Sequence, residues 1–135
     1  MATHTAGFKL DGKESQVLAL SYQFSRFTEE NGRPASRVRR GTLNLTLASE
    51  DQHKESVVQW LGDPDTSKDG EIIIYEGEYE KRKPFKTIKF EKGFVIDYRE
   101  TFTDQSGSKT TESFTISAEK ITVGSAKFDF KWPKA

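Results

Sequence analysis

Few side chains in this sequence could do chemistry. A nucleophilic triad needs a histidine beside a serine or cysteine, with a carboxylate to orient it. The chain has two histidines and no cysteine. His4 stands near the start, and His53 lies one helical turn before Val57, so both read as structural or surface residues. No two histidines share a helix face. The acidic run Asp63-Pro64-Asp65, with Lys68-Asp69 after it, lacks the spacing of a calcium loop and reads as a solvated turn. Carboxylates cluster at Glu29-Glu30 and at Glu76, Glu78 and Glu80. Alternation puts the second set on one strand face, but Lys81, Arg82 and Lys83 follow at once, as in a mixed-charge exposed edge that resists aberrant pairing. No glycine-rich phosphate loop is present. The expectation is a protein that is not an enzyme, with no catalytic, cofactor or metal site.

One constellation asks for a partner. Residues 32–41 read Gly-Arg-Pro-Ala-Ser-Arg-Val-Arg-Arg-Gly, four arginines with no acid. Arginine is favoured where a planar fork must meet carboxylates at a protein interface. Either this segment folds back on its own acids or it meets acids on another copy of the chain. The expected contact residues are Glu29, Glu30, Arg33, Ser36, Arg37, Arg39 and Arg40.

Basic and aromatic residues also interleave, in Lys86-Thr87-Ile88-Lys89-Phe90 and in Lys127-Phe128-Asp129-Phe130-Lys131-Trp132. Such a pattern can stack single-stranded nucleic acid. Here 21 Lys+Arg balance 21 Asp+Glu, so the basic footprint of a nucleic-acid binder is missing. The aromatics are expected to face inward and the lysines water.

The elements that position these residues repeat with period two. Leu18, Leu20, Tyr22 and Phe24 alternate with Ala19, Ser21 and Gln23, as Leu43, Leu45 and Leu47 do with Thr42, Asn44 and Thr46. The pattern returns at Ile72/Ile74, Ile88/Phe90, Phe94/Ile96/Tyr98, Phe114/Ile116, Ile121/Val123 and Phe128/Phe130/Trp132. Eight or nine strands are expected. Asp11-Gly12 signals a type I′ hairpin, where both central residues need positive φ. Gly107 and Gly124 mark further turns, and long loops are expected at 28–37 and 63–70. One segment is helical. Ser49-Glu50-Asp51-Gln52 makes a capping box, Val57, Val58, Trp60 and Leu61 form an apolar stripe, and Gly62 with Pro64 ends it. The helix is placed at about residues 50–61, flanking a sheet.

The 135 residues suit one domain, 1–135, with neither internal repeat nor low-complexity tail. Aromatic residues make up 12%, ten of them Phe, which is too many for a disordered chain. The opening Met1-Ala2-Thr3-His4 begins no apolar run, so neither a cleavable signal peptide nor a membrane insertion is expected.

Taken in order, several motifs resemble one family. Phe8-Lys9-Leu10-Asp11-Gly12-Lys13 leads into Ser-Tyr-Gln-Phe-Ser at 21–25. The arginine segment follows, then the capped helix ending Trp60-Leu61, then Phe114-Thr115-Ile116-Ser117-Ala118 and a closing Phe-Asp-Phe-Lys-Trp. This is similar to the tube protein of the type VI secretion system, the haemolysin-coregulated protein family (Hcp, TssD), in its divergent branch. The resemblance implies a mainly β fold, a partly closed β-barrel of two antiparallel sheets with one flanking helix. It implies six copies in a ring, and rings stacked into a hollow tube expelled by sheath contraction. The loop at 28–40 would reach toward the neighbouring ring, its arginines pairing there with acids such as Asp63, Asp65, Glu76 or Glu78. Implied partners are further copies of itself, contractile sheath, spike and baseplate proteins, and secreted effectors. The implied location is the bacterial cytoplasm during assembly and then the exterior. A chain this short would be the plain structural form, without a fused effector. A compact chain of this length is a ball some 37 Å across, and six in a ring leave a hole about one ball wide. Two other readings stay open: a phage-type tail-tube protein, and a monomeric β-barrel holding a small apolar ligand.

Overall fold

The computed structural model describes residues 4–48, 56–77, 81–104 and 109–133. The elements run β1 (His4–Leu10), β2 (Lys13–Ser25), β3 (Arg40–Ala48), α1 (Ser56–Gly62), β4 (Lys68–Glu76), β5 (Lys83–Thr103), β6 (Lys109–Val123) and β7 (Ala126–Asp129). All pairings are antiparallel, in the order β3-β2-β1-β4-β5-β6-β7. A further ladder joins β3 to β6, with Thr42 opposite Ser117 and Ala48 opposite Thr111. That ladder closes six strands into a barrel. The short β7 continues the same edge of β6 beyond β3, pairing Lys120 with Asp129 and Val123 with Ala126. The mainly β, antiparallel barrel with a flanking helix is the fold expected.

Asp11 and Gly12 take φ of 53° and 78°, the two positive values a type I′ turn requires. Gly124, at φ 60°, turns β6 into β7. Seven strands are described rather than eight or nine, because two expected breaks do not interrupt the chain. Ile88/Phe90 and Phe94 onward lie on the single strand β5, and Phe114/Ile116 and Ile121/Val123 on β6. Between Phe90 and Phe94 only Lys92 takes a positive φ, 53°, and its N–H donates to Asp69 Oδ1 at 2.9 Å.

Two β-bulges correct the expected inward faces. In β2, Ser15 and Val17 are buried, but after the register shift between Val17 and Ala19 the inward set becomes Leu20, Tyr22 and Phe24. Leu18, expected inward, is the extra residue and is 51% exposed. In β5 a shift between Val95 and Asp97 does the same: Val95 is buried, while Ile96, also expected inward, is 58% exposed. An inserted residue reverses the side-chain phase of everything beyond it.

The barrel interior is filled with side chains. Phe8 stacks on Phe90 at 6.3 Å and meets Phe114 at 5.7 Å, with Leu43, Leu45, Leu47, Ile72, Ile88, Ile116 and Ile121 around them. A Cβ on Gly93 would stand 2.8 Å from the Phe90 ring, so glycine there admits the aromatic core. A packed interior is the reverse of the hollow barrel that the ligand-holding reading requires.

Helix α1 covers the expected helix from Ser56 on; the capping box at Ser49–Gln52 and His53 lie outside the described residues, as does Gly107. Val57 and Trp60 are buried, Trp60 stacking on Phe90 at 6.3 Å. Burial of each contributes about 1.5–3 kcal/mol. Only half the expected stripe faces inward, since Val58 and Leu61 are 43% and 38% exposed. The short helix rests on the β5 side of the barrel with one edge, so the stripe's other edge meets water.

Candidate assembly surface

The arginine segment is built as an arm between β2 and β3. Its base continues their ladder, with Ser25 opposite Arg40 and the Arg39 N–H donating to the Ser25 carbonyl at 3.1 Å. Farther out, Ala35 N–H donates to the Phe27 carbonyl at 2.8 Å, Thr28 bridges Pro34, and Glu29 N–H donates to the Arg33 carbonyl at 2.7 Å. The tip closes when Gly32 N–H donates to the Glu29 carbonyl at 2.9 Å. Gly32 has φ 87°, which a side chain would strain, and the Asn31 side-chain oxygen accepts from Arg33 N–H at 3.0 Å. These bonds brace the arm as a small hairpin.

Of the expected contact residues, Glu29, Glu30, Arg33, Arg37, Arg39 and Arg40 are all exposed. Ser36 is half-buried. Its hydroxyl donates to the Arg37 carbonyl at 3.0 Å and accepts from Phe27 N–H at 3.4 Å, so it works inside the arm. No described carboxylate lies within ion-pairing distance of Arg33, Arg37, Arg39 or Arg40; the described ion pairs are Lys68–Asp11, Lys92–Glu119 and Lys120–Glu91. Among the described residues, then, these arginines do not fold back on acids of their own chain. Arg39 lies 5.9 Å over the Phe27 ring, a stacking that leaves the fork's edge free.

Beside the arm's base runs a groove of about 510 Å³, lined by Arg26, Phe27, Arg37, Arg39 and Arg40 on one side and by Phe130, Lys131, Trp132 and Pro133 on the other. Arg26, Phe27 and the C-terminal segment were not among the expected contact residues. Phe27 stands out of phase with Tyr22 and Phe24, the one local signal; the approach of residues 130–133, a hundred positions away, leaves none. The rest of the aromatic–basic motif packs as expected. Phe130 is buried, Phe128 stacks on Phe24 at 4.3 Å, Trp132 meets Phe94 at 6.0 Å, and Lys127 and Lys131 face water. Ile88 and Phe90 are buried while Lys86 and Lys89 are exposed.

The expected acids lie apart from the arm. Asp63 and Asp65 form an exposed turn at the end of α1. The Asp63 N–H donates to the Trp60 carbonyl at 3.2 Å, its carboxylate accepts from the Thr66 hydroxyl and from Asp65 N–H, and Trp60 Nε1 donates to the Thr66 carbonyl at 3.2 Å. The Thr66 hydroxyl first, then the Asp65 N–H, hold the Asp63 carboxyl below its ordinary range, so it is ionised at neutral pH. Glu76 ends β4 between His4 of β1 and Lys83 of β5. It is exposed, but on a strand paired on both sides, which corrects the expected sheet edge. Glu78 and Glu80 lie outside the described residues.

Among the described residues one acidic side chain is buried. Glu112 is in phase with Phe114, Ile116 and Ala118, 1% exposed, and accepts from the Tyr98 hydroxyl at 2.6 Å. Burial pushes its carboxyl up, the Tyr98 bond draws it down, and Glu100, directly opposite on β5, pushes it up again. Tyr98 is pushed up as well, by burial and then by the carboxylate it serves. The alternation alone could have placed Glu112 inside.

Comparison with known proteins matches residues 2–133 to the family described as Hemolysin coregulated protein Hcp (TssD). Among solved structures, Hcp1 from Flavobacterium johnsoniae is 28% identical with a TM-score of 0.79, over 93% of this chain and 98% of that one. Hcp1 from Salmonella typhimurium is 14% identical with a TM-score of 0.69, over 97% of both. The sheath/tube terminator of the PVC extracellular contractile injection system shares the fold at a TM-score of 0.60, with 12% identity over 87% of this chain and 91% of that one. Among curated proteins no match is found.

Proposed function

This chain belongs to the haemolysin-coregulated protein (Hcp, TssD) family, and from that premise we propose that it is the inner-tube subunit of a type VI secretion system. The family is one of structural tube proteins, not enzymes. Six copies close a ring, rings stack into a hollow tube, and sheath contraction drives the tube, with effectors, out of the cell. The protein acts as a mechanical part. Its binding energy goes into contacts between copies and with sheath, spike and baseplate proteins.

The observation that carries this reading is the braced arm with its exposed arginines. A monomer that left them without carboxylates would gain nothing from ordering the segment. A neighbouring copy that supplied the acids would make charge-assisted, two-pronged bonds with them. Rings stacked in one direction also need unlike patches on one subunit, a heterologous contact. A basic arm and a separate acidic turn are such a pair. Among the described residues no helix is long and apolar enough to cross a membrane.

Size-exclusion chromatography with light scattering, followed by negative-stain imaging, tests the proposal. The expected result is a species of six-fold mass that images as rings, and stacks of rings at higher concentration. A strict monomer at high concentration and low ionic strength overturns it.

A further inference from the structure

We propose that the groove beside the arm receives the acidic end of helix α1 from a second copy of this chain. The proposal rests on the tube-subunit reading, because self-assembly is what supplies the second copy.

Two surfaces match in chemistry and are separate in the fold. The groove combines guanidinium groups, Arg37, Arg39 and Arg40 among them, with the exposed Phe27 ring and the half-buried Trp132. Its occupant must therefore offer carboxylates and apolar surface together. An acid alone would leave the aromatic walls wet, and an apolar segment alone would desolvate the arginines without pairing them. The end of α1 offers both. Val58 and Leu61, three apart on one helix face, are 43% and 38% exposed, and the ionised Asp63 and exposed Asp65 follow directly. The Asp63–Thr66 hydrogen bonds hold that knob in one shape before contact, which lowers the ordering cost of association. Within one chain the two surfaces do not meet. No described arginine lies within ion-pairing distance of Asp63 or Asp65, and the helix rests on β5 through Trp60 and Phe90. A groove and a knob that cannot satisfy each other internally make a head-into-socket contact between copies.

The test uses four samples of the full chain: wild type, Arg40→Glu, Asp65→Arg, and the double variant carrying both. An equimolar mixture of the two single variants makes a fifth. Far-UV circular dichroism and a thermal melt confirm folding, and light scattering against concentration reads assembly at low salt. Each single variant should need at least about tenfold more protein to assemble, the scale of a mispaired interfacial charge. The double variant and the mixture should both recover, because in each every socket again faces a knob of opposite charge. If either single variant does not fold, Arg39→Ala and Leu61→Ser read the same contact with smaller changes. Wild type assembling while both single variants assemble equally well overturns this contact and leaves the tube reading standing. Single variants that weaken assembly without recovery in the mixture also overturn it, since the two charges then act on different contacts. A wild type that stays monomeric overturns both.

Discussion

Replacing Tyr98 by Phe removes one oxygen and leaves the ring in place, so its cost isolates the hydrogen bond to Glu112. That bond is 2.6 Å long, ends on a carboxylate that is 1% exposed, and joins neighbouring strands β5 and β6. Hydrogen bonds to charged groups are worth about 1.5–3 kcal/mol, so Tyr98→Phe should cost that much at a pH where Glu112 is ionised. With an unfolding entropy of about 2.1 cal/mol/K per residue, each kcal/mol lowers the Tm of a chain this size by about 3–4 °C, which predicts a drop of about 5–11 °C. The pH dependence is specific. Burial raises the Glu112 carboxyl, so above the ordinary carboxylate range the folded state holds a proton the unfolded chain has lost. Glu112 therefore costs stability as pH rises through that window, and less as pH falls. The Tyr98 bond opposes the shift, so removing it should extend the window upward and deepen the neutral-pH penalty. In acid the protonated carboxyl accepts only an ordinary hydrogen bond, and the penalty should shrink to about 1 kcal/mol. Glu112→Gln keeps an acceptor without the charge. It should match or exceed wild type at neutral pH and lose that advantage in acid. Thermal melts of wild type, both single variants and the double variant across pH 4–8 measure this, as differences in which the other carboxylates cancel. A Tyr98→Phe penalty that is flat with pH, or an advantage of Glu112→Gln that grows in acid, would refute the reasoning.

Four further outcomes are expected. Gly41→Ala should lower stability by about 1–3 kcal/mol on overpacking, because the new methyl would stand 2.7 Å from the Phe24 ring and 2.9 Å from Phe130; a melt checks it. Trp60→Ala should cost about 3–5 kcal/mol by emptying the space against Phe90, read by chemical denaturation. Arg39→Glu with Arg40→Glu should weaken the stacking of rings with circular dichroism unchanged. Raising salt should weaken wild-type stacking in the same assay, since exposed pairs are screened within roughly 10 Å at 0.1 M.

Much of the barrel was readable from neighbouring residues. Alternation located β2, β3 and β4, Asp11-Gly12 located the first hairpin, and Trp60 with Val57 located the inward edge of α1. Alternation failed where one residue was inserted. Leu18 and Ile96 look inward by count, and only the register of the partner strands shows that each is the extra residue of a bulge. Likewise Lys92, a break by local rules, is a single kink held by Asp69 from another strand. Of the candidate surface, the arginines themselves were visible as a run of one charge. The absence of acidic partners among the described residues was not, because ion pairing depends on which acids the closed barrel brings near.

Strand period, turn chemistry and the concentration of arginine at residues 33–40 are properties of the chain read a few residues at a time, and they hold however the ends are arranged. Closure of β3 on β6, the bulged registers of β2 and β5, and the groove between the arm and residues 130–133 join positions far apart in the chain. Such contacts form only when packing the shared core outweighs the entropy of closing the long loops between them. The choice among possible closures is therefore made by the assembled interior around Phe8, Phe90 and Phe114, and no single segment carries it.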